Sequence, residues 1–453
     1  MECPAVHRIF AIAVTLTLAL LAAPPASAIA PPTIDPAAVP PDVTGPDQPL
    51  EQRRVCKAPL ALPGNNFRDP PWANVYLGVG EAHRFATGLG ITVAVIDTGV
   101  DPSPRVPAEP GGDFVVKDGD GLSDCDAHGT LTASIIAGRP ALTDGFVGVA
   151  PDARLISVRQ TSEAFEPKDN QANPNDPNAT PAAGSVRSLA RAVVHAANLG
   201  AGVINISEAA CFKVRKQVDE SALGAALDYA VNVKGAVVIA AAGNTGGDCT
   251  QNPPPDPAMP ADPRGWLQVQ TVVTPAWYAP LVLAVGGVGQ NGAPSQFSMH
   301  GPWVGVAAPG EDIVALGPEG EPVDALVGKE GPVPIAGTSF AAAYVSGLAA
   351  LLRQRFPALA PAQIVNRITA TARHPGAGVD DAVGAGIVNA VAALTWDVPA
   401  GPATSPLNVN RIQPPLPAPR PDHGPIKAVA VGIAGFSVAL ALAALTGQAL
   451  RRR

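Results

Sequence analysis

The chain has 453 residues, 47% of them hydrophobic and only 15% charged, so a large core can be buried. Lys and Arg number 30 against 38 Asp and Glu, a net charge of −8. No basic stripe is present, which argues against nucleic-acid binding as its role.

Residues 1–28 read as a secretory signal. His7 and Arg8 precede the uncharged apolar run Ile9–Ala23, and Ala26-Ser27-Ala28 fits a small-residue cleavage site, as does Ala28-Ile29-Ala30. The apolar run is short for a membrane span. Residues 29–74 are rich in Pro, Asp and Gly and cannot build a core, so they are expected as an extended arm packed on the domain that follows.

From Ile91 the texture changes. Ile91-Thr92-Val93-Ala94-Val95-Ile96 suits a strand buried on both faces of a parallel sheet, and it runs into Asp97-Thr98-Gly99. In open α/β sheets reactive side chains collect at the carboxyl ends of strands, where Asp97 falls. Asp126-Ala127-His128-Gly129-Thr130 then leads into the small-residue helix Leu131–Ala137. A second buried strand is expected at Leu155–Val158. Residues 161–184 form a polar Asn/Pro/Asp loop that could hold a cation through its carboxylates and carbonyls, although the irregular ligand spacing favours a plain exposed loop.

Apolar residues at 186, 189, 190, 193, 194 and 197 follow the helical period, which makes His195 on that helix a structural residue. A strand at Val203–Ser207, a helix at Ala222–Val233 and a strand at Ala236–Ala241 come next, the last running into Ala242-Gly243-Asn244. Further strands are expected at Leu281–Val285 and Val304–Ala307. Gly337-Thr338-Ser339 opens an apolar helical run that ends near Pro357. A serine there is most often a helix cap. A helix start also offers unpaired N–H groups to an anionic intermediate. Pro361–Ala372 is a further helix with Pro in its first turn. The alternation of strands and helices predicts an α/β domain with a mostly parallel sheet over 75–397.

Residues 398–425 are a Pro-rich linker. Ala428–Leu450 carries no charge and is long enough to cross a bilayer. The terminal Arg451-Arg452-Arg453 would lie in the cytoplasm by the positive-inside rule. The expected arrangement is a single-pass protein of the cell membrane with its main domain on the extracytoplasmic side.

Asp97-Thr98-Gly99, His128-Gly129-Thr130, Asn244 after Ala-Ala-Gly, and Gly337-Thr338-Ser339 stand in the order Asp, His, Asn, Ser. That order and those signatures resemble the subtilisin-like serine proteases over roughly residues 75–395, with support from Gly148-Val149-Ala150-Pro151 and Val306-Ala307-Ala308-Pro309-Gly310. Signal, Pro-rich arm, protease core, linker and terminal span together resemble the mycosins, membrane-anchored subtilases associated with mycobacterial type VII (ESX) secretion, and most of all their ESX-1-type group. The resemblance implies a three-layer αβα fold and a catalytic set of Asp97, His128 and Ser339 with Asn244 as oxyanion donor. It also implies a secreted protein of that system as substrate, membrane components of the machinery as partners, and no metal or cofactor. The rival reading is a structural component of the secretion complex with secondary or silent protease activity.

The sequence departs from the subtilase pattern in three places. After Ile204-Asn205-Ile206-Ser207 the family usually continues Leu-Gly and lines the substrate cleft. Here Glu208, Ala209 and Ala210 follow, so Ser207, Glu208 and Ala209 are expected at a cleft that accepts selected peptides. Ala343 stands where Pro is frequent, early in the helix where that ring matters little. The arm is too short and polar to resemble a folded inhibitory prodomain. Four cysteines remain once Cys3 leaves with the signal, and they allow three pairings. The loops after the strands ending at Ser207 and Ala241 emerge at one edge of a parallel sheet, which favours Cys211 with Cys249 and leaves Cys56 with Cys125.

Overall fold

The structure, a computed structural model, describes residues 29, 32–168, 183–214, 216, 218–328, 331–376 and 378–404. The expected signal, most of the polar loop (169–182), the linker beyond 404 and the apolar run 428–450 lie outside the described residues. Among the described residues no helix is long and apolar enough to cross a membrane. Contacts divide the chain into residues 1–408 and 409–453, and every described residue belongs to the first unit.

Seven strands build the central sheet: β1 (Thr92–Asp97), β2 (Ala108–Asp113), β3 (Arg154–Arg159), β4 (Val203–Ile206), β5 (Val237–Ala241), β6 (Val282–Val288) and β7 (Val304–Pro309). Their spatial order is β7-β6-β5-β4-β1-β3-β2, and every neighbouring pair is parallel. Alternate residues of each strand feed opposite faces. Val93 and Val95 of β1 join the core beneath helices α1 (His128–Ala137) and α4 (Thr338–Arg355). Ala94 and Ile96 join the core beneath α2 (Val186–Asn198) and α3 (Ser221–Asp228). Burial on both faces is why the inner strands read as largely apolar runs. Helix α5 (Pro361–Ala370) contributes Ile364 and Ile368 to the first core.

Sequence periodicity places these strands and helices to within a few residues, apart from β2. That strand reads Ala-Glu-Pro-Gly-Gly-Asp and carries no apolar alternation. It survives because it sits at the sheet edge, where a proline and a broken register cost little. The expected helix over 222–233 is α3 continued by a wider turn, Tyr229–Val233. At the start of α2, Ser185 and Ser188 cap each other's backbone N–H groups at 2.9 Å.

The arm is extended and fastened along its length. Asp42 accepts from His195 Nδ1 at 2.6 Å and from Asn198 Nδ2 at 2.8 Å. Arg191 donates to the carbonyls of Val43 (2.7 Å) and Gly45 (2.9 Å) and pairs with Asp47 at 2.5 Å. Leu50–Gln52 adds antiparallel to Phe165–Pro167, and Pro59–Leu60 to the strand Ala325–Gly328. The arm thus satisfies its backbone against the domain and lends it Ile34, having too little apolar content to fold by itself. His195 is the structural residue its helical position implied, with its partner in the arm.

Candidate active site

Three segments converge where the parallel strands end. Asp97 is the last residue of β1, His128 the first of α1, and Ser339 the second of α4. His128 Nδ1–H donates to Asp97 Oδ1 at 2.7 Å, and the Ser339 hydroxyl reaches His128 Nε2 at 2.8 Å. Asp97 is 0% and Ser339 4% exposed, while the His128 side chain between them is 25% exposed, so the Asp97 end is shut off from water and the imidazole keeps an open edge. Phe340 packs against the imidazole with ring centroids 5.2 Å apart.

The glycine after the histidine is required by close approach. A Cβ on Gly129 would stand 2.0 Å from the Gly99 carbonyl oxygen and 3.1 Å from Asp97 Cβ. Only a bare Cα lets α1 start so near the end of β1 that His128 reaches Asp97. Ala127, just before it, takes a left-handed conformation (φ 61°), a strained turn that aims the imidazole.

Burial alone would raise the Asp97 carboxyl, but the facing charge and hydrogen bond of His128, with the Thr98 N–H, hold it below the usual carboxylate range. Burial alone would lower His128; Asp97 overrides this, with help from Glu208 and Asp124, and pushes the imidazole up to about 9. Asp124 is a buried brace behind the pair. It accepts from the Thr98 hydroxyl (2.8 Å), the Thr130 N–H (2.8 Å) and the Thr130 hydroxyl (2.7 Å), while Thr98 Oγ1 accepts from the Gly129 N–H at 2.9 Å. Burial pushes the Asp124 carboxyl up to about 6.

Asn244 follows β5 and is held through its carbonyl. The Thr338 N–H and hydroxyl both donate to Asn244 Oδ1 at 3.0 Å, and Thr338 Oγ1 in turn accepts from the Gly243 N–H at 3.2 Å. This orientation leaves Asn244 Nδ2 beside Ser339. A Cβ on Gly337 would fall 3.1 Å from Ser339 Oγ and 3.6 Å from Asn244 Nδ2. The space that glycine keeps open is therefore bounded by the nucleophile and an amide donor. An oxyanion fits there.

A cavity of about 400 Å³ opens next to the cluster, lined by Glu208, Ala209, Ala210, Lys216 and Asp248 among others. Ser207 lies apart from that lining. Its side chain is buried, and its Oγ accepts from Asn205 Nδ2 at 2.7 Å, with Asn205 Oδ1 accepting from Ser346 of α4 at 2.8 Å. Cys211 is bonded to Cys249 at the cavity wall, and Cys56 to Cys125, three residues before His128. Thr98, Thr130 and Thr338 sit inside three of the four sequence motifs, but nothing in the sequence marks them, or Asp124, as members of the site.

A nucleophile, its base, the acid that orients the base, and an oxyanion cradle on a parallel α/β scaffold define a serine hydrolase. The chain belongs to the subtilase family of serine endopeptidases, whose family model matches residues 88–386. It is 75% identical to Mycosin-1 of Mycobacterium tuberculosis (strain ATCC 25618 / H37Rv) over 447 residues, covering 99% of this chain and 100% of that one. Among solved structures it resembles the serine protease MycP1, described as an essential component of the type VII (ESX-1) secretion system. That match has 72% identity and a TM-score of 0.80, covering 81% of this chain and 100% of the other. A chain of the intact ESX-5 inner membrane complex is also similar, with 48% identity and a TM-score of 0.78 over 93% of this chain and 100% of that one.

Proposed function

We propose that this chain is an exported, membrane-tethered endopeptidase of a type VII secretion system that cuts selected secreted proteins through an acyl-enzyme. The observation that carries the chemistry is the pair of short hydrogen bonds joining Asp97, His128 and Ser339. Ser339 Oγ attacks the peptide carbonyl carbon as its proton passes to His128 Nε2. The C–N bond then breaks, and the same proton leaves with the amine. Water repeats the sequence on the ester, its proton taken by His128, and frees the acid. Asp97 remains ionised, holds the Nδ1–H tautomer and balances the imidazolium. Asn244 Nδ2 and the Ser339 N–H at the start of α4 receive the oxyanion. Every step described uses groups of this chain together with one water molecule.

The place of action rests on the signal-like residues 1–28, the apolar run 428–450 and the similarity to chains of ESX assemblies. The arm also favours a second role as a docking component, because it fastens a long polar segment across the domain. We expect the full-length protein in detergent to be labelled by a serine-directed fluorophosphonate, and its Ser339→Ala variant to stay unlabelled. Absence of label on the wild type would overturn the catalytic reading. Secretion fully supported by Ser339→Ala would make docking the main role.

A further inference from the structure

One carboxyl group at the site has no part in the mechanism above. Glu208 follows β4 and is half-buried, and its carboxylate lies within 4.8 Å of both a His128 ring nitrogen and an Asp97 oxygen. Among the described residues it receives no hydrogen bond. It stands at the boundary between the catalytic pair and the 400 Å³ cavity.

The charges around it are mostly of its own sign. Asp97 on β1, Asp126 before α1 and Glu163 beyond β3 all oppose its ionisation, while His128 favours it. Glu163 is itself paired with Lys57 of the arm at 2.6 Å. Lys216 and Asp248 also line the cavity, but Lys216 lies over the Phe212 ring, 5.2 Å from its centroid. Burial, then Asp97, pushes the Glu208 carboxyl up to about 7, so both forms are populated near neutrality.

We propose that Glu208 is the specificity-determining residue of the cleft, accepting the ammonium or guanidinium of a Lys or Arg side chain on the substrate residue that lies against the His128–Asp97 pair. The inference rests on the protease reading above and names a substrate class for it. An apolar side chain laid over Glu208 would strand a buried carboxyl without a partner. An acidic one would meet Asp97, Asp126 and Glu163 as well. A cation satisfies Glu208 and is favoured by all four carboxylates. It also offsets the negative charge that keeps His128 protonated, so the preferred substrate helps to free the base that cleaves it.

The test is kcat/KM of the full-length protein in detergent on fluorogenic peptides differing only in Lys, norleucine or Glu at one position, scanned along the peptide. At pH 8 the wild type should favour Lys over norleucine at one position by about 10- to 100-fold, the range set by a charged hydrogen bond. The preference should shrink towards unity near pH 5.5, as Glu208 becomes protonated. Glu208→Gln should flatten it at every pH, and Glu208→Lys should turn it towards Glu. Ratios are compared within one enzyme, so a general loss of rate cannot imitate the result. A wild type that labels and cleaves without such a preference, or a preference that survives Glu208→Gln, overturns the inference. A wild type that neither labels nor cleaves any peptide removes the protease reading itself.

Discussion

Thr338 locks Asn244 from one side: it gives both its N–H and its hydroxyl to Asn244 Oδ1, so the amide has one orientation, with Nδ2 towards the reacting centre. The donor is thus set before substrate arrives, which is the condition under which such groups stabilise a developing charge. Asn244→Ala should lower kcat by about 10²–10³ while KM changes little. Thr338→Val keeps the bulk and the N–H bond but removes the hydroxyl donor, which loosens the amide and should lose about 10-fold, part of that effect. Steady-state kinetics on one peptide substrate checks both.

Gly337 guards the same space from the other side. Gly337→Ala places a methyl near Ser339 Oγ and Asn244 Nδ2. The expected outcome is a folded protein, unchanged by circular dichroism, whose fluorophosphonate labelling slows by at least about 100-fold, as for loss of an oxyanion donor.

The pH profile follows from His128. Catalysis needs the neutral imidazole, and the surrounding carboxylates, Asp97 above all, hold the proton on up to about 9. The rate should therefore climb with pH through an apparent value above the ordinary imidazole value of 6.5. Glu208→Gln removes one of those charges and should move the acid limb to lower pH. For folding the sign is opposite. A pKa raised in the folded state stabilises fully below 6.5, and that contribution is lost as pH rises towards 9. His128→Ala should flatten the fall in thermal stability over that window.

Asp124 braces the loop that carries His128. Asp124→Ala leaves the Thr98 hydroxyl and both Thr130 donors without their acceptor, and should cost about 2–3 kcal/mol, read as a lower midpoint in denaturant. Asp124→Asn, which keeps one oxygen, should recover part of it.

The Cys56–Cys125 bond joins positions with a sequence separation of 69. By chain entropy a loop of that size is worth about 4 kcal/mol, because the bond restricts the unfolded chain. Cys56→Ser with Cys125→Ser should lower the melting temperature. Adding Arg191→Ala should expose residues 42–57 to limited proteolysis.

Much of the fold was legible because its signals are local. Strands buried on both faces read as apolar runs, as Val93–Ile96 and Val237–Ala241 do, and amphipathic α2 declares its buried face by spacing. The Asp, His, Asn and Ser motifs stand out for the same reason: each needs small residues where a strand ends or a helix starts. What the chain could not declare depends on partners distant in sequence. Ala108–Asp113 is a strand only because β3 offers it an edge, and the arm has a path only because Arg191, His195 and Glu163 receive it. Asn205 and Asp124 read as ordinary polar residues until folding brings Ser346 and Thr98 to them. Glu208 is the sharpest case. Its place after β4 follows from sequence, but its position within 4.8 Å of Asp97 and His128 comes from the meeting of β4, β1 and α1. Side-chain electrostatics is a property of three-dimensional neighbours, and only the tertiary structure supplies them.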